Sequence, residues 1–271
     1  EWFFIKDLRE TQVFYRNGEE IEILAKYKIL QELKSKKMIR PNALLLSLAA
    51  QFNDETAKDV FEWFANINSI SGLSDALYSN YTLTLLENVE KKDRILSLLK
   101  VADFGIANLK VSDLEGESIA LTIGTNTQTP TISKQKSVIK NLQTVKQVLN
   151  DKGELLHYIE IPFEQYESEG TKKFFHLLGP ILDTLQHGKV LIIDELDTKL
   201  HPLLTQRIVK LFNSKSTNPN NAQLIFATHD TNLLDAKIFR RDQIWFTEKD
   251  RYGATQLYSL TDFKKAKKPR N

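Results

Sequence analysis

The sequence predicts an α/β fold built around a parallel β-sheet. Two apolar runs, residues 190–193 and 224–227, are separated by a segment with helical periodicity, and another helical segment precedes the first run. Continuous apolar strands that alternate with helices are typical of a parallel sheet covered on both faces. Polar residues follow both runs directly, and the carboxyl ends of such strands are where ligands bind in open α/β sheets.

The composition is that of a globular protein. The chain has 271 residues, of which 41% are hydrophobic and 27% charged, enough for one large domain or two small ones. The absence of cysteine excludes disulfides and cysteine-ligated zinc. A net charge of +2 does not by itself indicate nucleic-acid binding. There is no signal peptide and no apolar run of the ~20 residues that span a bilayer, so we expect a cytoplasmic protein with no membrane partner.

The first part of the chain, residues 1–26, is predicted to be the antiparallel β part of the domain, with a hairpin turn at residues 17–18. Residues 27–107 carry apolar residues at three- and four-residue spacing and are predicted to form a helical insertion of four or five helices. Three aromatic residues at helical spacing in this insertion are predicted to belong to its core: Phe61, Trp63 and Phe64.

The next part, residues 108–167, is predicted to be a β-hairpin segment. It contains a strand at 108–123, a second hairpin that turns at 151–153, and between them a polar Thr/Ser-rich stretch, 124–137. This stretch is predicted to be a flexible loop, or a place where further disordered residues of the protein are missing from the sequence.

The part that carries the site is residues 168–263. It is predicted to alternate helices and strands and to end in a β-pair that turns at residues 252–253, with a short helix between the second apolar run and that pair. The basic tail, residues 264–271, is predicted to be a solvated end, and contact with nucleic acid is the less favoured alternative.

Two adjacent acids end the first apolar run. Asp194 and Glu195 follow the strand directly, which places both at the ligand edge of the sheet. Nucleotide hydrolysis needs two different acids there: Asp194 fits the ligand of a magnesium ion that bridges the phosphates, and Glu195 fits the group that orients the attacking water. The alternative is a helix N-cap after a strand, which needs only one acid.

A histidine follows the second apolar run. His229 lies in the segment Thr228-His229-Asp230, where a side chain can reach the terminal phosphate of a nucleotide held at the neighbouring strand. A lone histidine at a strand end is more often a structural hydrogen-bonding residue. Its position after a strand that ends in Asp-Glu favours the functional interpretation.

A third motif precedes the first strand. Ser168, Glu169, Gly170 and Thr171 open a helix, and free N–H groups together with a hydroxyl suit a phosphate. Taken alone, this motif is better explained as an ordinary serine-led helix cap.

In this order, the three motifs resemble the head domain of ABC ATPases. The resemblance places Ser168-Glu169-Gly170 at the signature motif, Asp194 and Glu195 at the Walker B acids, His201 in the D-loop and His229 at the switch histidine. It implies ATP and Mg²⁺ as cofactors. It also implies a head-to-head homodimer or higher oligomer, in which the signature serine contacts the γ-phosphate bound by the opposite subunit.

The chain also resembles a narrower group, the bacterial AAA/OLD-like ABC ATPases of anti-phage and abortive-infection systems, which include the Septu and retron-associated (PtuA-like) ATPases. The likeness lies in the segments ESEGTKKFF, VLIIDELDTKLHP and AQLIFATHD. It implies an ATPase that acts as sensor and regulator in defence and controls a partner effector, a nuclease or another toxin, through its nucleotide-dependent dimer state.

One motif of the family is missing. No GxxxxGK[ST] phosphate-binding loop occurs in the sequence, and we expect that this Walker A segment lies upstream of Glu1. Two departures from the transporter pattern, Glu169 for a signature glycine and His201 for the D-loop aspartate, match the OLD-like branch.

Two alternative functions fit the sequence less well. An OLD-type nuclease would need a cluster of metal-binding acids after the ATPase head, and no such cluster follows here. An SMC-like DNA clamp would need long heptad coiled coils, and the helical insertion is too short and too interrupted for them.

Overall fold

A computed structural model of the protein describes residues 2–6, 10–25, 27–102, 105–122 and 131–263. The chain divides into two compact units, Glu1–Asn68 and Ser69–Asn271. The basic tail predicted at 264–271 and residues 124–130 of the predicted loop lie outside the described residues.

The first unit begins with an antiparallel sheet. Its strands, in the order β1-β2-β3, are β1 (Trp2–Lys6), β2 (Glu10–Asn17) and β3 (Glu20–Ile23). Asn17 pairs with Glu20, and Gly18 in the turn between them has a φ of 62°, a conformation that glycine adopts without steric cost. The predicted hairpin at residues 17–18 is confirmed.

Helices complete the first unit: α1 (Lys28–Ser35), α2 (Leu45–Gln51) and α3 (Glu55–Ala65). The prediction that the aromatic residues of α3 are core is wrong, because Phe61, Trp63 and Phe64 are 54%, 54% and 56% exposed. The buried residue of α3 is Ala57. Helical spacing indicates that a helix has an apolar side, but it does not say what covers that side.

The elements of the second unit follow in chain order. They are β4 (Ile67–Ser71), which begins at the end of the first unit, α4 (Ser79–Leu85), α5 (Val89–Val101), β5 (Ile106–Thr122), β6 (Thr131–Leu149), β7 (Leu155–Pro162), α6 (Phe163–Tyr166), α7 (Glu169–His187), β8 (Val190–Asp194), α8 (Pro202–Asn213), β9 (Gln223–Phe226), β10 (Trp245–Lys249) and β11 (Thr255–Ser259).

The site lies on a three-stranded sheet with the order β4-β8-β9. β8 and β9 are parallel, with Val190 opposite Gln223 and Ile193 opposite Phe226, which confirms the predicted parallel sheet. β4 was not predicted, since the short polar sequence INSIS lies between helical segments and only Ile70 in it is buried.

The second apolar run is less buried than its sequence indicates. Residues along β9 alternate between exposed and half-buried, and Ile225 is 54% exposed. In the part of the chain that the structure describes, β9 is the last strand of this sheet, so one of its edges has no neighbouring strand.

Two antiparallel sheets complete the second unit, with the orders β5-β6-β7 and β10-β11. The strand at 108–123, the hairpin around 151–153 and the final β-pair are confirmed. The predicted loop at 124–137 is wrong from Thr131 onward, because β6 begins there and pairs with β5. A ladder of backbone hydrogen bonds can hold a polar strand that has no apolar pattern. The predicted short helix after β9 is only a 3-10 turn, Thr231–Leu233.

Helix α7 is the centre of the second unit's core. Its buried residues include Phe174, Phe175, Leu177, Leu178 and Ile181, which pack in one cluster with Leu191 and Ile193 of β8. The helix begins at the N-cap Ser168 and ends at Gly188, whose φ of 64° suits glycine. This packing fixes the start of α7 relative to β8. Among the described helices, none combines the length and the apolar character needed to cross a membrane.

Candidate functional site

The two predicted acids lie at the carboxyl end of the central strand. Asp194 is the last residue of β8 and is exposed, and its backbone oxygen accepts a hydrogen bond from the N–H of Gly72 over 2.7 Å. Glu195 is half-buried, and its Oε2 accepts a hydrogen bond from Thr198 Oγ1 over 3.1 Å. The adjacent carboxylates therefore have different surroundings, as two acids with different tasks require.

The segment after β8, residues 195–200, forms a turn that we call the β8 turn. Both Glu195 and Lys199 have positive φ values, 52° and 63°. For residues with a side chain this left-handed conformation costs about 1 kcal/mol or more, so it persists only where surrounding contacts hold it. One contact is the hydrogen bond of 3.1 Å from the Leu196 N–H to Ala227 O, just beyond β9.

A buried lysine reaches the β8 turn from helix α7. Lys173 of α7 has no exposed surface, and its ammonium group donates hydrogen bonds to Glu195 O at 3.2 Å and Thr198 O at 2.5 Å. Burial lowers the pKa of Lys173, and the nearby carboxylates of Asp75 and Asp197 oppose that shift. The lysine thus places its donors on the backbone of the turn that carries Glu195.

Two glycines allow close approach to the β8 turn. A Cβ on Gly72 would lie 2.2 Å from Glu195 O, and a Cβ on Gly170 would lie 2.9 Å from Lys199 O. Both distances are too short for a real Cβ contact with backbone. The absence of a side chain at these positions is therefore required for the observed path of the turn.

His229 is exposed and lies beyond the end of β9, the strand-end position that the sequence predicts. Its backbone N–H donates to Oδ1 of Asp197 over 3.3 Å. The Ala227 N–H also donates to Ile193 O over 3.0 Å, which extends the pairing of the two strands toward the site. The structure therefore joins the segment that carries His229 to the turn that carries Glu195.

Ser168 and Thr171 form the serine-led helix cap that is the alternative interpretation of this motif. Ser168 Oγ accepts a hydrogen bond from the Thr171 N–H over 3.1 Å and lies 2.8 Å from Thr171 Oγ1. Thr171 is buried, whereas Ser168 is exposed. The cap holds the first turn of α7 in place whether or not a phosphate binds there.

Glu169 and Gly170 connect the first turn of α7 to the β8 turn of the same chain. The carboxylate of Glu169 forms ion pairs with Lys172 at 2.7 Å and with Lys199 at 3.2 Å. Its hydrogen bond with Lys172, followed by that with Lys199, lowers the pKa of Glu169. Because the pairs are largely exposed, they orient the side chains more than they stabilise the fold.

His201 also has a structural role in this chain. It is the N-cap of α8, and its Nδ1 accepts a hydrogen bond from the Leu203 N–H over 3.3 Å. Pro202 follows at the first helical position, which its fixed φ favours. His201 is exposed at the end of the β8 turn, and its binding role stays a prediction.

The arrangement of acids suits magnesium bound together with phosphates. Within the described residues, no three or more His, Cys, Asp or Glu side chains are grouped so that they could hold a metal ion by themselves. Mg²⁺ keeps much of its water and is usually bound by one or two carboxylates plus substrate phosphates. An exposed acid at a strand end, Asp194, is that kind of ligand.

Sequence reasoning missed four residues that shape the site: Gly72, Asp75, Lys173 and Asp197. Asp75 is buried, lies 2.9 Å from Nδ1 of His176 and 4.0 Å from Nζ of Lys199. The sequence did contain one signal, which is Lys173. It occupies a position among apolar residues that are predicted to face the core, and a buried lysine requires a specific partner. The other three act through backbone or long-range contacts that no local pattern shows.

The comparisons with known proteins agree with this geometry. A family model described as "AAA domain, putative AbiEii toxin, Type IV TA system" matches residues 47–235, more than half of the chain. No curated protein matches. The matched region includes α7, β8, β9 and His229, so it covers the whole candidate site. An AAA domain is a nucleotide-binding ATPase module. The chain belongs to this AAA domain family, whose description places it with abortive-infection toxin–antitoxin proteins.

Proposed function

We propose that the protein binds ATP with Mg²⁺ and hydrolyses it. The observation that carries the proposal is the position of Asp194 and Glu195, two adjacent acids at the carboxyl end of the central strand β8. The His229 segment is hydrogen-bonded to the β8 turn that follows Asp194. A bound Mg²⁺ ion would supply charge neutralisation at the phosphates. Asp194 would hold the ion, because its carboxylate is exposed at the ligand edge of the sheet.

Glu195 is the proposed general base. Its backbone leaves the strand in a left-handed conformation, and Thr198 donates to one carboxylate oxygen, which leaves the other oxygen to accept a proton from water. His229 would contact the terminal phosphate and stabilise charge that develops there. The bond from its N–H to Asp197 keeps the histidine segment at a fixed distance from the β8 turn.

The nucleotide is proposed to be shared between two subunits. Ser168, Glu169, Gly170, Thr171 and His201 would act on a nucleotide held mainly by the opposite subunit, as the ABC resemblance implies. The exposure of Ser168, Glu169 and His201 is compatible with such a contact. Because the sequence contains no GxxxxGK[ST] motif, the proposal includes a phosphate-binding loop from polypeptide outside these 271 residues.

The cellular role that we propose is regulation of a toxic effector in anti-phage defence. The family description supports a toxin–antitoxin setting. The closer likeness to Septu and retron-associated ATPases rests on sequence segments and stays a prediction. The effector, a nuclease or another toxin, would bind or dissociate according to the nucleotide-dependent dimer state. Nucleic acid stays a candidate partner.

The test is Glu195→Gln in the natural full-length protein. The amide keeps the shape of the side chain but cannot accept the proton of water, so ATP turnover should fall by about 100-fold or more while ATP binding remains. Phosphate release and equilibrium ATP binding are measured, together with the mass of the complex with ATP in solution. The variant should accumulate as an ATP-bound dimer.

The matched control is Glu248→Gln on β10, an exposed glutamate that should leave turnover unchanged. Wild-type turnover in Glu195→Gln would remove Glu195 as the base. Failure of the wild-type protein to bind ATP would remove the proposed function itself.

A further inference from the structure

Lys173 differs from the other lysines of the site. Its side chain lies inside the core between α7 and the β8 turn, where an ammonium group loses its hydration. Lys172 beside it is paired with the exposed Glu169 at the surface, as lysines usually are. Removal of a charge from water is costly, so a fully buried lysine needs partners that offset the cost.

The partners of Lys173 are backbone carbonyls of one turn. Its Nζ donates to Glu195 O at 3.2 Å and to Thr198 O at 2.5 Å, and these residues are also joined by the bond from Thr198 Oγ1 to the Glu195 carboxylate. The lysine therefore spans the first half of the β8 turn. Glu195 O also accepts a hydrogen bond from the Thr198 N–H over 3.3 Å, which closes the same part of the turn.

The backbone that Lys173 holds is strained. Glu195 has a φ of 52°, which a residue with a side chain adopts only when its surroundings impose it. On the other side of the turn, Gly72 lies so close that any Cβ would collide with Glu195 O. The carbonyl of Glu195 is thus enclosed between Gly72 and the Lys173 ammonium group.

We infer that Lys173 is a positioning residue for catalysis: by binding the carbonyls of Glu195 and Thr198, it holds the β8 turn in the conformation that sets the direction of the Glu195 carboxylate. The inference rests on the proposed function of Glu195 and extends it to a residue of the signature helix. Since α7 begins at the signature motif, a shift of that helix would be transmitted to the general base through this side chain, in addition to the contacts that Glu169 and Gly170 make with Lys199.

A purely structural role would make a different prediction. A lysine that only filled the core could be replaced by methionine, which has a similar length and no charge to desolvate, with no specific effect on turnover. A lysine that positions the turn cannot be replaced in this way, because methionine offers no hydrogen-bond donor to either carbonyl.

The experiment compares Lys173→Met with Lys189→Met in the full-length protein. Lys189 is a half-buried lysine at the opposite end of β8, paired with Asp183 at 2.9 Å and away from the turn. Two quantities are measured: amide hydrogen exchange in peptides that contain residues 194–200, and the kcat and KM of ATP hydrolysis. Thermal unfolding shows that each variant is folded.

In Lys173→Met we expect faster amide exchange in the β8 turn and a kcat lower by at least about 10-fold, with KM within about twofold of wild type, because misplacement of a catalytic group affects the chemical step more than binding. Lys189→Met should match wild type in both measurements.

A second variant keeps the inference falsifiable if Lys173→Met does not fold. Gly72→Ala leaves Lys173 intact but places a Cβ against Glu195 O from the other side, and it should lower kcat in the same manner. Unchanged exchange in the β8 turn of Lys173→Met, or an unchanged kcat despite faster exchange, would overturn the inference. If wild-type protein shows no ATPase activity, the proposed function fails and the catalytic part of the inference fails with it, while exchange still decides whether Lys173 holds the turn.

Discussion

Two turns of the second unit, the β8 turn and the hairpin turn between β10 and β11, both contain residues with a positive φ. They differ in which residue types adopt that conformation. The hairpin turn places its positive φ, 81°, on Gly253, which has open space around it. The β8 turn places positive φ values on Glu195 and Lys199. The hairpin turn is therefore stable through local sequence, whereas the β8 turn depends on contacts from distant parts of the chain.

The aspartates of the two turns show the same difference between local and distant contacts. In the hairpin turn, Asp250 Oδ1 accepts hydrogen bonds from the N–H groups of Tyr252 and Ala254, at 2.8 and 2.9 Å. In the β8 turn, Asp197 Oδ1 accepts from the N–H of His229, which lies far along the chain. One aspartate closes its own turn, and the other joins two strand ends. Backbone strain maintained by distant contacts is a recurring property of functional sites.

The largest effect that follows from this comparison is expected for Asp197→Ala. Without the acceptor for the His229 N–H, the histidine segment should move away from the β8 turn, and kcat for ATP hydrolysis should fall by about 10-fold. Steady-state kinetics on the full-length protein measure the change. Asp250→Ala is the matched control, since it removes the same group from the hairpin turn and should lower only stability, by about 1 kcal/mol. Equal kinetic effects of the two variants would contradict the distinction between the turns.

A smaller effect is expected for Gly253→Ala. Space is available for the new Cβ, so the cost is conformational only and should lower the free energy of unfolding by about 1 kcal/mol. Denaturant unfolding measures this change, and ATP turnover should stay at the wild-type value. A stability equal to wild type would show that the hairpin turn does not need glycine.

The smallest effect is expected for Lys199→Asn. Asparagine tolerates the left-handed conformation better than lysine does, which favours the variant. The substitution removes the exposed ion pair with Glu169 at 3.2 Å and the longer contact with Asp75 at 4.0 Å, and ion pairs of a half-exposed lysine contribute little. The two effects oppose each other, so the free energy of unfolding should change by less than about 0.5 kcal/mol. A loss of several times that size would mean that Lys199 holds the turn through its side chain.

A comparison of α3 with α7 shows that helical periodicity does not predict whether the apolar side of a helix is buried. Both α3 and α7 carry apolar residues at helical spacing, and both were predicted as helices. Twelve of the 19 residues of α7 are buried, but Phe61, Trp63 and Phe64 of α3 are more than half exposed. A sequence pattern distinguishes the apolar side of a helix or strand from its polar side. The surface that covers the apolar side is decided by residues far away in the chain.

The sequence by itself determined the parallel pair β8-β9, the final β-pair and the start of α7. It also determined that Asp194, Glu195 and His229 lie at strand ends. These features follow from local patterns of apolar residues, caps and turns. Only the tertiary structure decided that β4 adjoins β8, that Gly72 lies against Glu195 O, and that Lys173 donates to the β8 turn. The physical reason is that these contacts join residues distant in the chain and pass through backbone carbonyls. Every residue has such a carbonyl, so the sequence does not mark which of them a buried donor will bind.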